Sequence, residues 1–175
     1  VRDKHVVVYG SKESIEKLMS RDDDFFEKDT DFASIHNEDL TDHNSYFELI
    51  YGGENRAYNT NLIGDYNVEN IVAAIISSLL IGIPNDQIRS SIRDVYVPGR
   101  LQVYHWKDRT FMIDYAHNYI SMYRLYEMVK KTMKPKSITV VFGCGGERYK
   151  KRREDMGRLA EQYADKVVLT MEDPG

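Results

Sequence analysis

The sequence is notable first for what it has little of. Cys144 is the only cysteine among 175 residues, so an internal disulfide is excluded. Together with the absence of a signal-like segment, this leads us to expect a cytoplasmic protein. No apolar run can span a bilayer; the longest, Ile71 to Ile83, is interrupted by Ser77, Ser78 and Gly82. Positive charge is not in excess. The formal net charge is −4, which offers no field for DNA, RNA or a membrane surface, and none of these is expected as a partner. Repeats and low-complexity tracts are missing. His5, His36, His43 and His105 have no partners at ligand spacing, so no metal site made of histidines is expected. What is present is globular: 42% hydrophobic and 30% charged residues suit one ordinary domain or two small or incomplete ones.

The front of the chain reads as mixed α/β. His5–Tyr9 is a short β-branched run ended by Gly10, and Ser11 caps a helix with Ile15 and Leu18 facing inward. The acidic stretch Arg21–Asp31 reads as a loop. Phe32–His36 and Ser45–Tyr51 read as strands, with Gly52–Gly53 turning after the second. Val68, Ile71, Val72, Ile75, Ile76, Leu79, Leu80 and Ile83 recur at helical spacing. The other faces of that helix carry Ala73, Ala74, Ser77 and Ser78 instead of charges, which predicts burial on most sides. Asp86–Arg93 reads as a short second helix. Pro98–Gly99 is the best candidate boundary, dividing residues 1–97 from 98–175. Beyond it, Leu101–Trp106 and Thr110–Asp114 read as strands around a Lys107–Asp108 turn. Helix Ile120–Thr132, strand Ser137–Phe142, helix Arg153–Tyr163 and strand Lys166–Thr170 follow. From Thr110 onward this is β-α-β-α-β with apolar strands, the pattern of a parallel sheet covered by helices.

Ligands of open α/β sheets bind outside the carboxyl ends of the strands. Three such ends carry unusual residues here: Asp114-Tyr115-Ala116-His117, Gly143-Cys144-Gly145-Gly146-Glu147-Arg148, and Met171-Glu172-Asp173-Pro174-Gly175. All three are expected along one edge of the sheet. The glycines suit either a tight turn or close backbone approach to an anion. The dinucleotide pattern fails at Arg148, and no Gly-Lys-Ser or Gly-Lys-Thr of a phosphate-binding loop occurs. Lys150, Lys151, Arg152 and Arg153 open a helix, where cations are disfavoured, so they suit either an anion or a solvated charged face. Asp114 can accept ribose-type hydroxyls or cap the next helix, and His117 can donate to a phosphate or pack on the turn. Asn67 suits an N-cap, and Asn70 lies one turn on; together the amides can read a base edge.

These motifs, taken in order, resemble the Mur ligases, the ATP-dependent amino-acid ligases of peptidoglycan synthesis. The matching elements are Leu62-x-Gly64-x-x-Asn67-x-x-Asn70 with Ala73-Ala74, Pro98-Gly99-Arg100, Asp114-Tyr115-Ala116-His117, Val141-Phe142-Gly143-Cys144-Gly145-Gly146-x-Arg148, Arg152-Arg153-x-x-Met156 and Thr170-x-x-Asp173-Pro174. The branch most similar is that of the tripeptide synthetases, which add the third amino acid to UDP-MurNAc-L-Ala-D-Glu. The resemblance implies an α/β fold: the tail of the central ATPase domain over 1–97, then the front of a Rossmann-like amino-acid-binding domain over 98–175. It implies ATP and Mg²⁺ as cofactors, with UDP-MurNAc-L-Ala-D-Glu and a free amino acid as substrates. By the same carry-over, Asn67 and Asn70 face the adenine, and Arg100, Asp114 and His117 hold ribose and phosphates. Arg100 and His117 are the candidates for charge stabilisation in catalysis. Arg148 pairs with the carboxylate of the incoming amino acid, while Glu172 and Asp173 face its distal amine.

Departures from the family pattern refine these expectations. The family commonly reads Asp-Asn-Pro-Arg at the last motif when diaminopimelate is the substrate. Here Asp173 replaces the Asn and Gly175 replaces the Arg, so lysine or another diamine such as ornithine is expected instead. Asn118-Tyr119-Ile120 stands where Thr-Pro-Asp is usual, which keeps a related cyanophycin or folylpolyglutamate synthetase as an alternative. At the basic cluster, Arg152-Arg153-Glu154 stands for Lys-Arg-Pro. The family's sugar-binding domain, phosphate-binding loop and carbamylated-lysine region have no counterpart, so the chain is expected to be a fragment, a monomer, and inactive alone. A non-catalytic module that binds a nucleotide or amino acid is the remaining alternative.

Overall fold

The computed structural model describes residues 6–21, 30–145 and 151–171. The chain divides into two compact units, Val1–Tyr96 and Val97–Gly175.

Unit 1 is a four-stranded sheet in the order β1-β2-β3-β4, with β1 spanning Val6–Ser11, β2 Thr30–Leu40, β3 Ser45–Tyr51 and β4 Glu54–Thr60. β1 runs parallel to β2, and β2, β3 and β4 form an antiparallel meander. Helix α1 (Lys12–Met19) starts where the Ser11 side chain accepts the Ser14 N–H. Gly52 and Gly53, at φ 62° and 76°, make the tight turn that returns β3 into β4. β4 is polar along most of its length and only Tyr58 and Thr60 are buried, so its alternation is too weak to read from sequence. β2 begins at Thr30, within the stretch expected to be loop.

Helix α2 (Asp65–Leu80) lays Val68, Ile71, Val72, Ile75 and Ile76 on Ala33, Ile35, Phe47, Leu49 and Tyr58 of the sheet. Ile88 of α3 (Asn85–Arg93) completes this core. The expectation that α2 is buried on most sides needs correction. Asn70, Ala74, Ser77 and Leu80 are exposed, because one sheet and α3 cover a single stripe of the helix. The N-cap of α2 is Gly64 at φ 90°, and not Asn67, which lies inside the first turn.

Unit 2 is likewise mixed α/β. β5 (Gln102–Trp106) and β6 (Arg109–Ile113) form an antiparallel hairpin, whereas β7 (Thr139–Phe142) and β8 (Lys166–Leu169) are parallel. Among the described residues of unit 2, parallel pairing is confined to β7 and β8, and β6 pairs with its neighbour across a two-residue turn. The turn, with Lys107 at φ 54°, closes locally, while the β7–β8 pairing needs a helical crossover. That crossover is α5 (Lys151–Tyr163), which packs with α4 (Tyr119–Met128) through Met122, Tyr126, Met156, Leu159 and Ala160. α4 gives way to a π-helical turn over Val129–Met133, ending at Lys134 in the left-handed region. Pro135 explains the stop, since it cannot continue the helix and disfavours the right-handed region for the residue before it. Among the described residues no helix is long and apolar enough to cross a membrane.

Candidate functional site

The carboxyl ends of β6, β7 and β8 meet although β6 lies outside the parallel pair. Ala116, just past β6, packs on the same core as Phe142 and Cys144 at the end of β7. Thr170, just past β8, donates its N–H to the Phe142 carbonyl at 3.0 Å.

Asp114 organises the first of these ends. Its Oδ2 accepts the Leu101 N–H at 2.9 Å and its Oδ1 accepts the Ala116 N–H at 2.8 Å. One carboxylate therefore clamps the Pro98–Leu101 turn against the segment that leaves β6. The turn has Gly99 at φ 70° and Leu101 at φ 43°, and the Gly99 N–H donates to the Gln102 Oε1 at 2.8 Å. The clamp sets the Arg100 guanidinium over the Tyr115 ring, 5.2 Å from its centroid. Tyr115 in turn lies 5.2 Å from the His117 ring, tilted by 58°. Arg100, Tyr115 and His117 thus form a contiguous row, with the Asp114 carboxylate joining the Leu101 and Ala116 segments that carry it.

The His117 Nδ1 lies 3.2 Å from the Tyr115 carbonyl oxygen. A carbonyl only accepts, so Nδ1 carries the proton, and the outward Nε2 donates only when the ring is protonated. Asp114 has accepted two hydrogen bonds and keeps acceptor capacity for hydroxyl groups. The next helix is capped by Asn118, whose side chain accepts the Ser121 N–H at 3.0 Å while the Ser121 hydroxyl accepts the Asn118 N–H. Asp114 is therefore the clamp of a turn and not a helix cap.

At the end of β7, Cys144 turns inward, its Sγ 3.8 Å from the Met156 sulfur. The Arg152 guanidinium lies against Gly145: a Cβ at Gly145 would meet its Nη2 at 3.8 Å. The Nε of Arg152 is buried without a hydrogen-bond partner among the described residues. Lys151, by contrast, pairs with Asp155 at 3.2 Å. Arg148, Glu172 and Asp173 lie outside the described residues, as does Lys150.

The amides of unit 1 separate. Asn67 is 3% exposed, and its Nδ2 donates to the Ile63 carbonyl at 2.8 Å, whereas Asn70 is exposed. Tyr115 is the residue that sequence reasoning missed. It sits within the quoted motif, but its linking role needs the positive φ of Leu101, which no residue type announces.

Against this geometry, residues 99–175 match the family described as Mur ligase, glutamate ligase domain. The chain is 34% identical over 169 residues to the UDP-N-acetylmuramoyl-L-alanyl-D-glutamate--2,6-diaminopimelate ligase of Aquifex aeolicus (strain VF5), covering 97% of this chain and 31% of that protein. It is 37% identical over 147 residues to the UDP-N-acetylmuramyl-tripeptide synthetase of Limosilactobacillus reuteri (strain DSM 20016), covering 78% and 28%. A crystal structure of MurF from Acinetobacter baumannii shares the fold at a TM-score of 0.68 and 19% identity, covering 97% of this chain and 39% of that one. The chain belongs to the Mur ligase family. Its curated relatives are of the MurE type, diaminopimelate ligase and tripeptide synthetase, and it spans less than a third of the length of these two.

Proposed function

We propose that this chain is part of an ATP-dependent amide ligase that adds the third amino acid to UDP-MurNAc-L-Ala-D-Glu in peptidoglycan synthesis. The observation that carries the reading is the Arg100–Tyr115–His117 row clamped by Asp114 at the carboxyl ends of the strands. Its donors suit an anion. The exposed Arg100 guanidinium sits over the Tyr115 ring, and a cation–π contact consumes none of its capacity to donate to phosphate oxygens. The buried, partnerless Nε of Arg152 beside Gly145 is a second donor lacking an acceptor. These groups fit the triphosphate of a nucleotide.

In this reading Arg100 and His117 hold phosphate oxygens and Asp114 accepts ribose hydroxyls; Asn67 is buried and bonded to the Ile63 carbonyl, so of the two amides expected at the adenine only Asn70 is exposed to a ligand. Bound ATP and Mg²⁺ supply the phosphoryl group that activates the D-glutamate γ-carboxylate and the charge that offsets its transfer. The protein's own contribution is orientation and charge stabilisation, with no side-chain nucleophile. Asp114 keeps Arg100 and His117 at fixed spacing, so they meet developing charge without reorganising. The amine of the incoming amino acid attacks the activated carbonyl, forming the amide and releasing phosphate. Arg148 takes that amino acid's carboxylate. Glu172 and Asp173 favour a cationic distal group, and Gly175 offers no guanidinium for a further carboxylate, so the amino acid is lysine or another diamine.

The test is ADP release by the full-length protein with UDP-MurNAc-L-Ala-D-Glu and a panel of amino acids. Lysine or ornithine is expected to support turnover, and a strong preference for diaminopimelate overturns the diamine assignment. Turnover with a folate substrate instead would make the protein a folylpolyglutamate-type ligase. Arg100→Ala and His117→Ala are each expected to lower kcat/KM by about 10²-fold or more.

A further inference from the structure

The edge of unit 2 opposite the candidate site has features that the ligase reading does not use. A cleft of about 540 Å³ opens at the amino ends of β7 and β8 and is lined in part by Lys130, Lys134, Lys136, Glu161, Tyr163 and Asp165. The segment over 130–136 reads Lys-Lys-Thr-Met-Lys-Pro-Lys, with no acidic residue, in a chain whose net charge is −4. Among the described residues neither Lys134 nor Lys136 forms an ion pair. Lys130 is held with its Nζ 4.8 Å from the Tyr163 ring centroid. The lining also carries two carboxylates, Glu161 and Asp165, the latter with its Oδ2 accepting the Ile138 N–H at 2.8 Å, so its three lysines outnumber its acids by one. Favourable placement of cations at a helix end accounts for Lys130 and Lys131. It does not account for Lys136, which lies past the helix, nor for a lysine in the left-handed backbone at 134.

Lys134 ends the π-helical turn at φ 45° and ψ 53°. Glycine is the residue that this conformation favours, and a lysine there is strained. A cationic residue therefore occupies a position where a smaller one would be more stable, in the lining of a cleft that Lys130 and Lys136 also line. We propose that this cleft binds a small phosphate-bearing anion. Its volume is that of a small-molecule site, and lysine ammonium groups bind phosphate as point charges. The proposal does not rest on the ligase reading, because the lysines lie at the other end of the strands from Asp114 and Arg152.

Site-resolved acylation of lysines in the full-length protein tests it, with inorganic pyrophosphate as the probe at an ionic strength of about 0.15 M. Peptide mass spectrometry reads each lysine separately, so phosphate binding elsewhere in the protein does not interfere. Pyrophosphate is expected to slow acylation of Lys130, Lys134 and Lys136 several-fold and to leave the exposed Lys12 unchanged. In the double variant Lys134→Gly/Lys136→Gln, protection of Lys130 is expected to vanish. Lys134→Gly alone is expected to raise the Tm while weakening protection, a combination that a purely structural lysine would not give. Equal acylation of the wild type with and without pyrophosphate overturns the proposal. So does undiminished protection of Lys130 in the double variant, or a lowered Tm in Lys134→Gly.

Discussion

Asp114 accepts N–H groups from two segments that are otherwise joined only by the hairpin, so its removal leaves both donors without their acceptor. Asp114→Ala is expected to destabilise unit 2 by about 1–3 kcal/mol. Thermal unfolding checks this, and an unchanged Tm would mean that the clamp is not a structural support. Tyr126 presents the opposite case. Its hydroxyl is buried with no hydrogen-bond partner among the described residues, and its ring stacks on Tyr163 with centroids 5.1 Å apart. Tyr126→Phe keeps the stack and removes an unsatisfied polar group, so it is expected to be neutral or to stabilise by up to about 1 kcal/mol at neutral pH. The Asp114–His117 motif was legible because residue type and spacing carry it. The Arg100–Tyr115 stack was not, since it depends on a left-handed Leu101 that sequence does not signal.

At the level of elements, the helices with clear caps and apolar periodicity were readable, and the errors fall where a local feature overrides periodicity. α4 was expected to run to Thr132 because Met128 and Val129 continue the apolar pattern, yet the approach of Pro135 widens the last turn into a π turn. β4 escaped notice because its inward positions are few and polar residues fill the rest, although the Gly52–Gly53 turn was itself a hairpin signal. The expected parallel pairing is present at β7 and β8, joined by the α5 crossover. Apolar β6 pairs with β5 next to it in sequence, and what it shares with β7 is a core around Ala116, Phe142 and Cys144. The start of α4 rests on a reciprocal cap between Asn118 and Ser121. Asn118→Ala is therefore expected to cost about 1 kcal/mol, and Asn118→Asp to cost much less. A chemical-denaturation midpoint equal to that of the wild type for Asn118→Ala would show that the cap is dispensable.

The two units have separate cores, one built on the sheet and α2, the other on α4, α5 and β7. Separate cores predict separate unfolding, so calorimetry of this chain is expected to show two transitions. Alkaline pH, applied to a variant as well as the wild type, distinguishes them. In unit 2, burial pushes the Tyr126 phenol up to about 12. The hydrogen bond to Glu127, followed by burial, pushes Tyr163 to about 12 as well. Unfolded tyrosine ionises near pH 10. Between about pH 10 and 12 the unfolded chain therefore binds fewer protons than the folded one, and stability falls as pH rises through that window. Below about pH 10 both states are protonated and the effect vanishes. The unit 2 transition is accordingly expected to move down by several degrees between about pH 9 and 11. Tyr58 in unit 1 is also raised, chiefly by burial, so its transition moves too, and the wild type alone does not assign the peaks. The double variant Tyr126→Phe/Tyr163→Phe does. It removes from unit 2 the two phenols that are pushed up to about 12 and leaves unit 1 untouched, so only one of the two transitions should lose part of its alkaline sensitivity. If both transitions changed together, the units would unfold as one, and the division between Tyr96 and Val97 would have no thermodynamic meaning.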